Sequence, residues 1–234
     1  KSRDPLFNQA SQGPSMFQHK NINGEVLNLP MGKIVCVGRN YAEHAKELGN
    51  EVPKSPLLFM KPATAAVELE KPFSIPSDLG SVHHEVEIAL LIGEQASAID
   101  EDNAWSCVTA VGVALDLTLR DVQDKLKAKG QPWEMAKAFD GSCPLSSWVP
   151  IAKVSDKNNI QIRLEKNSEL KQDGNSNQMI TSIPKLIAYI SQFFTLQPGD
   201  VILTGTPAGV GPLESGDLLK ATIDKIYEFS GKVL

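Results

Sequence analysis

The feature that most constrains this chain is its punctuation. From Lys33 onward, short runs rich in β-branched and other apolar residues are separated by Gly, Pro, Asn and Asp, with helical periodicity at only a few places. Runs of this length and composition read as strands. They fall at 33–37, 57–60, 65–70, 82–92, 108–115, 160–165, 169–172, 201–204 and 218–223, too many for a helix bundle. Across 159–173, Ile160, Ile162 and Leu164 alternate, Lys166-Asn167-Ser168 supplies a turn and the chain returns, which predicts a hairpin. Pro198-Gly199-Asp200 and Ser215-Gly216-Asp217 each set a turn directly ahead of a strand. Three helices are legible. Asn40 can cap a helix over 41–48, with Glu43 in the capping-box position and Gly49 just past the end. A second runs over 121–128 and stops before Gly130. In the third, behind Ser182, Ile183, Leu186, Ile187, Ile190, Phe193 and Phe194 have the spacing of a core-facing stripe. Dominant strands with helices at irregular intervals predict an α+β fold with a mainly antiparallel or mixed sheet, ahead of a doubly wound βαβ fold.

At 234 residues the chain can build a core without disulfides, as one large domain or two small ones. Residues 1–15 are polar and aperiodic and precede Met16, which reads as a native start, so they are expected to be a disordered leader or an expression remnant. Cys36, Cys107 and Cys143 are widely spaced, form no Cys-x-x-Cys pair and sit in or beside apolar runs. Buried structural thiols in a reducing, cytoplasmic setting are expected. No apolar run approaches the ~18 residues of a membrane span. With 23 basic against 28 acidic residues, a net charge of −5 and no concentrated basic patch, the chain is expected to bind neither nucleic acid nor anionic lipid.

The segment 82–92 offers chemistry. On a strand Glu85 and Glu87 point the same way, about 7 Å apart. After Glu87 the run is apolar on both faces and enters the interior, where carboxylates are costly unless a cation compensates. The pair is therefore either the solvated face of an edge strand or part of a cation site. Asp116 stands alone in a second apolar run. If it meets Glu85 and Glu87, the three make an oxygen-only site of the kind Mg²⁺ or Mn²⁺ prefers. Alternatively it pairs with Arg120 or Lys137. His83 and His84, adjacent on a strand, face opposite ways and make a poor zinc site. His44 and Glu47 share a helix face, either as a general base with its orienting carboxylate or as a surface pair. The loop 204–212 is glycine-rich, fit for close approach to a ligand or for a tight turn, and lacks the Gly-Lys-Ser/Thr ending of a P-loop.

The segments GRNYAEHAKELG, LFMKP, HHEVEIALLIG, LDLTLRDVQ, MAKAFD and LTGTPAGVG occur in this order. Together, over about 33–223, they resemble the fumarylacetoacetate hydrolase family, in particular its short acylpyruvase and oxaloacetate decarboxylase branch. The resemblance implies a mixed β-roll of the family's C-terminal-domain type, one catalytic domain over 16–234, a homodimer, and one Mg²⁺ or Mn²⁺ per subunit. It assigns Glu85, Glu87 and Asp116 to the metal, His44 and Glu47 to a catalytic dyad, and Lys137 to the reacting oxyanion. Arg39, Tyr41, Arg120, Gln123 and Thr206 fall at substrate-binding positions. The separate N-terminal domain and further upstream metal carboxylate of fumarylacetoacetate hydrolase proper have no counterpart, which argues against fumarylacetoacetate as substrate. The expected chemistry is enolate formation from a small-molecule 2-oxo acid. The expected outcome is hydrolysis of acylpyruvates, decarboxylation of oxaloacetate, or both. The alternatives are keto–enol tautomerisation of oxaloacetate, isomerisation or decarboxylation of aromatic-degradation intermediates, and, remotely, a non-catalytic metal-dependent binding module.

Overall fold

Two strands that are apolar on both faces must lie inside a sheet covered on both sides, and Val86–Ile92 and Val108–Leu115 do so. Every residue of the first is buried, and only Thr109 of the second is exposed. A computed structural model of the chain describes residues 17–49 and 51–234, so the expected leader at 1–15 and Met16 lie outside the described residues. The two strands are the centre of a sheet ordered Leu57–Lys61, Ile34–Gly38, Val201–Leu203, Val86–Ile92, Val108–Leu115, Cys143–Leu145, Ala66–Glu68. Ile34–Gly38 runs parallel to Val201–Leu203, and Ala66–Glu68 parallel to Cys143–Leu145, while the remaining pairs are antiparallel. The sheet is mixed, as the irregular helix spacing predicts.

One face of this sheet, with Val35, Val37, Ile88, Leu90, Val111 and Val113, packs into a core shared with the Ile183–Phe193 helix and with Ile162, Leu164 and Ile223 of a second sheet. The other face is lined by smaller side chains, among them Cys36, Ala89, Ala114 and Cys143, beside Trp148. Burial pushes the Cys143 thiol up to about 12 and raises Cys36 and Cys107 as well, and all three are buried and free, as expected. The second sheet is antiparallel, ordered Glu169–Asn175, Gln161–Lys166, Leu218–Ile223, Tyr227–Lys232. Asn167 and Ser168, with φ of 54° and 68°, are the two left-handed residues of the predicted hairpin turn. Together the sheets form the expected strand-rich β-roll with a few short helices.

The structure differs from the sequence reading in several places. The run 82–92 is two strands, Val82–His84 in a small sheet with Thr118–Leu119 and Gly211–Pro212, and Val86–Ile92 in the large one. The break falls at Glu85. The first helix is Ala42–Glu47 with Tyr41 at its N-cap and no side-chain cap. Asn40 instead donates to the carbonyls of Thr181 (3.0 Å) and Thr204 (2.9 Å) and accepts from the Thr181 amide (2.8 Å), tying three segments together. Finally, Cys143–Leu145 and Tyr227–Lys232 are strands with no clear sequence signal. The first is centred on a proline, which demotes a strand assignment, and the second buries only Phe229. Among the described residues no helix is long and apolar enough to cross a membrane.

Candidate active site

The ladder between the two central strands builds the acidic cluster. It pairs Glu87 with Ala114, and just beyond its end the Asp116 amide donates to the Glu85 carbonyl at 2.8 Å. Residues opposite one another in an antiparallel pair share a face, so Glu85, Glu87 and Asp116 all project from one side. One oxygen from each lies within 4.8 Å of the others, and all three side chains are buried.

Cationic side chains gather around them. Lys137, on the short Glu134–Lys137 helix that carried no sequence signal, places Nζ 2.8 Å from Glu85 Oε2, 2.6 Å from Asp116 Oδ2 and 2.7 Å from Thr118 Oγ1. Arg120 Nη2 donates to Glu85 Oε1 at 2.5 Å and Nη1 to Gln123 Oε1 at 2.7 Å. The acidic cluster and the Asp116–Lys137 ion pair thus coexist, whereas Arg120 pairs with Glu85 rather than Asp116. Burial alone would raise Glu85, but Lys137 and Arg120 outweigh it and hold the carboxyl far below the ordinary carboxylate range. Burial would likewise lower the Lys137 ammonium, yet Asp116 and Glu85 raise it above a free lysine. Burial pushes the Glu87 pKa well up, and Asp116 and Glu85 beside it add to the rise, against smaller offsets from the Gly205 amide and Lys137.

Lys61 was not singled out from the sequence. It is fully buried, 2.8 Å from Asp116 Oδ1, but directs its hydrogen bonds at the carbonyl oxygens of Lys137, Ser142 and Leu117 and at Ser142 Oγ. Asp116 Oδ1 is therefore left without a hydrogen bond among the described residues. A buried oxygen that accepts no hydrogen bond among the described residues, a Glu87 without an ion-pair partner there and a purely oxygen donor set together fit a hard divalent cation.

His44, buried on the Ala42–Glu47 helix, has Nδ1 3.3 Å from Glu47 Oε2, and Glu47 Oε1 accepts from the Gly209 amide at 3.0 Å. The pair is thereby fastened to the 204–212 loop instead of lying free on the surface. That loop reaches the cluster at Gly205, whose amide donates to Glu87 Oε2 at 2.7 Å. Gly205 has φ of 99°, and a Cβ there would fall 2.7 Å from Asn40 Cβ, so a side chain would displace the loop from the carboxylate.

Arg39, His44, Arg120, Gln123, Lys137 and Thr206 line one cavity with the three carboxylates. Glu47 stands behind His44 and borders an adjoining hollow. Tyr41 is not on the cavity wall. As the extended N-cap residue it turns into the apolar core, and its hydroxyl finds no partner among the described residues. The Thr206 hydroxyl donates to the Val86 carbonyl at 2.9 Å and accepts from Gln172 Nε2 at 2.8 Å. Gln172, also missed from the sequence, accepts from the Val86 amide and is paired with His84 Nδ1. Its inward register position opposite Leu164 was the available signal. His84 is thus committed to Gln172, and neither His83 nor His84 joins the acidic cluster.

The roll and its acidic triad define an enzyme of the fumarylacetoacetate hydrolase type. Residues 33–234 match the fumarylacetoacetate (FAA) hydrolase C-terminal family, and the chain belongs to it. It is similar to the oxaloacetate tautomerase YcgM of Escherichia coli (strain K12), 55% identical over 210 residues that cover 89% of this chain and 96% of that one. It is also similar to the mitochondrial oxaloacetate decarboxylase of Dictyostelium discoideum, 46% identical over 82% of this chain and 88% of the other. Among solved structures it resembles the fumarylpyruvate hydrolase of Pseudomonas aeruginosa in complex with Mn²⁺ and pyruvate, with a TM-score of 0.88, 34% identity and coverage of 97% and 99%. The protein is a 2-oxo acid enzyme of this family.

Proposed function

We propose that the protein interconverts the keto and enol forms of oxaloacetate, using one Mg²⁺ or Mn²⁺ held by Glu85, Glu87 and Asp116. The observation that carries this reading is the 55% identity to an oxaloacetate tautomerase across nearly the whole of both chains. When bound, the cation supplies Lewis-acid relief of negative charge on the oxygens of a 2-oxo acid.

The remaining roles belong to this chain's own side chains. Enolisation breaks a C–H bond at C3 and leaves negative charge on the 2-oxygen, and the enol is complete when that oxygen takes a proton back from the protonated base. His44, whose Nδ1 is engaged by Glu47, presents Nε2 as the base for that proton. Lys137, a protonated ammonium whose three hydrogen bonds go to Glu85, Asp116 and Thr118, stabilises the charge developing on that oxygen through its fixed positive field. Arg120 and Gln123, joined by their own hydrogen bond, hold the substrate carboxylate, with Arg39 also on the wall. Thr206 acts through the position of its loop, because its proton is already given to Val86.

The likeness to a fumarylpyruvate hydrolase favours a second reading, in which His44 deprotonates a water that attacks the distal carbonyl of an acylpyruvate. Decarboxylation of oxaloacetate passes through the same enolate without a nucleophile. One assay separates them. With Mg²⁺-loaded protein, enol decay is followed by ultraviolet absorbance, pyruvate release from oxaloacetate by a coupled assay, and acetylpyruvate cleavage by loss of its own absorbance. Tautomerisation is expected to be the fastest by at least tenfold. Hydrolysis or decarboxylation exceeding it at equal substrate would overturn the assignment, and no turnover of any substrate would leave the binding-module reading. A homodimer in the cytoplasm completes the proposal, checked by light scattering and cell fractionation.

A further inference from the structure

The strand Val201–Leu203 accompanies Val86–Ile92 only as far as Leu203, opposite Ala89, and Thr204 makes the last contact, at the Ile88 carbonyl. Had that register continued, Thr206 would stand opposite Val86. Instead the chain turns away at Gly205, so the end of the central strand has no neighbouring strand on this side just where Glu85 and Glu87 flank Val86. The Glu85 carbonyl takes the Asp116 amide on the opposite side, and backbone groups alternate along a strand, so the Val86 N–H and C=O face the vacated side. Buried there, both need partners.

Side chains supply them. Gln172 Oε1 accepts from the Val86 amide at 3.0 Å, and the Val86 carbonyl accepts from the Thr206 hydroxyl at 2.9 Å. Gln172 Nε2 donates to Thr206 Oγ1 and to the Pro207 carbonyl, both at 2.8 Å, which closes a ring through Val86, Gln172 and Thr206. His84 Nδ1, 2.9 Å from the same Oε1, completes the partners of the amide. Because the Val86 amide can only donate and the Pro207 carbonyl only accept, the Gln172 amide has one orientation. Gln172 is buried on the Glu169–Asn175 strand of the hairpin sheet, so the ring ties that sheet to the strand carrying Glu87. The loop it grips then presents the Gly205 amide to Glu87 and the Gly209 amide to Glu47. Gly209, with φ of 99°, lies so close to the neighbour of Gln172 that a Cβ would collide with the Lys171 carbonyl.

We infer that Gln172 is a positioning residue for the cation site: standing in for a strand partner at Val86, it fixes the spacing of Glu85 and Glu87 and holds the loop whose amide restrains Glu87. It touches neither cation nor substrate and acts through the Val86 backbone and through Thr206. The inference rests on the proposed function only in seating a divalent cation at the acidic triad. Outer residues that orient ligand carboxylates contribute on the order of 10- to 100-fold in metal affinity.

The test is Mn²⁺ binding by calorimetry, well below the thermal midpoint of each variant. Gln172→Met, similar in length but without either hydrogen-bonding group, should weaken Mn²⁺ on the order of 10-fold or more. Thr206→Val opens the ring from the other side and should also weaken it. The double variant should lose little beyond the larger single loss, because both changes cut one ring. Gln172→Glu keeps the acceptor for Val86 and His84 but gives up the donor to the loop, and should fall between wild type and Gln172→Met. If Gln172→Met fails to fold, Gln172→Glu and Thr206→Val carry the same comparison. Hydrogen exchange at the Val86, Gly205 and Gly209 amides should quicken in the variants while Ile162 and Leu164 stay protected, which separates loss of the ring from loss of the hairpin. Wild-type Mn²⁺ affinity in the folded variants, or fully additive losses, would overturn the inference. Variants that weaken Mn²⁺ as expected in a protein that does not tautomerise oxaloacetate defeat only the functional proposal. A tautomerase whose Mn²⁺ affinity is unmoved defeats only this one, and a wild type that binds no Mn²⁺ defeats both.

Discussion

The acidic site and the antiparallel sheet of Gln161–Lys166, Glu169–Asn175, Leu218–Ile223 and Tyr227–Lys232 use the same side chains to opposite ends. Both are laced with ion pairs. On the sheet, Arg163 meets Asp173 at 2.8 Å with side chains 47% and 35% exposed, and Lys220 meets Glu165 at 2.8 Å. In the site, Lys137 meets Asp116 at 2.6 Å with 4% and 1% exposed. Water screens the first kind of pair, whose partners fall back on solvent when separated. In the second, removing either partner strands a charge in a medium that cannot solvate it. Only there can a missing positive charge be made good by a bound cation, and only there does charge placement control chemistry.

The largest expected difference between the regions follows metal removal. Exhaustive chelation should abolish turnover, and Mg²⁺ or Mn²⁺ should restore it, because three buried carboxylates facing one another need a hard cation. Full turnover by metal-free protein would break the comparison at its root. Next, His44→Ala should reduce turnover on the order of 10²–10⁴-fold, the usual contribution of a positioned base, while leaving the thermal midpoint near wild type. A lower midpoint with intact turnover would make His44 a packing residue. Lys61→Met tests the buried ions for stability rather than chemistry. It leaves Asp116 and three carbonyls without their ammonium and should destabilise by about 3–5 kcal/mol in urea melts, with the double variant Lys61→Met/Asp116→Asn recovering part of the loss. Additive losses would show that the two are not coupled. Smallest of all, Arg163→Ala on the exposed sheet should leave the melting temperature unchanged at physiological salt, and a clear drop would show that exposed pairs matter more here than their solvation allows.

The two regions were also unequally legible. On the hairpin sheet, local signals sufficed for every strand but Tyr227–Lys232. Alternation at Ile160, Ile162 and Leu164 and the Asn167-Ser168 turn announce the strands, and 218–223 is a strand with the bounds read from the sequence. The run 108–115 was equally clear, because eight successive residues with almost no polar interruption leave the chain little choice. Near the site, local rules met competing demands. Asn40 looks like a helix cap and serves as a three-way tie, since the Thr181 and Thr204 segments arrive from far along the chain to claim its amide. Glu85 looks like mid-strand and is a break, because the chain leaves one sheet for another at that residue.

What the sequence determined by itself is therefore the strand-rich class and the buried central pair, since runs that are apolar on both faces have to be covered wherever they are placed, while the carboxylates, the imidazole and Lys137 were singled out by the order of motifs that resembles the family. Their arrangement was decided only by the tertiary structure. That Asp116 stands opposite Glu85, that Lys61 backs Asp116 from a fully buried position, and that Tyr41 turns away from the cavity while Gln172 holds its loop all depend on contacts between segments distant in the chain. The periodicity of a sequence reports which face of an element is buried. It carries no record of which partner waits there, because pairing across a sheet and between layers is set by the packing of the whole core.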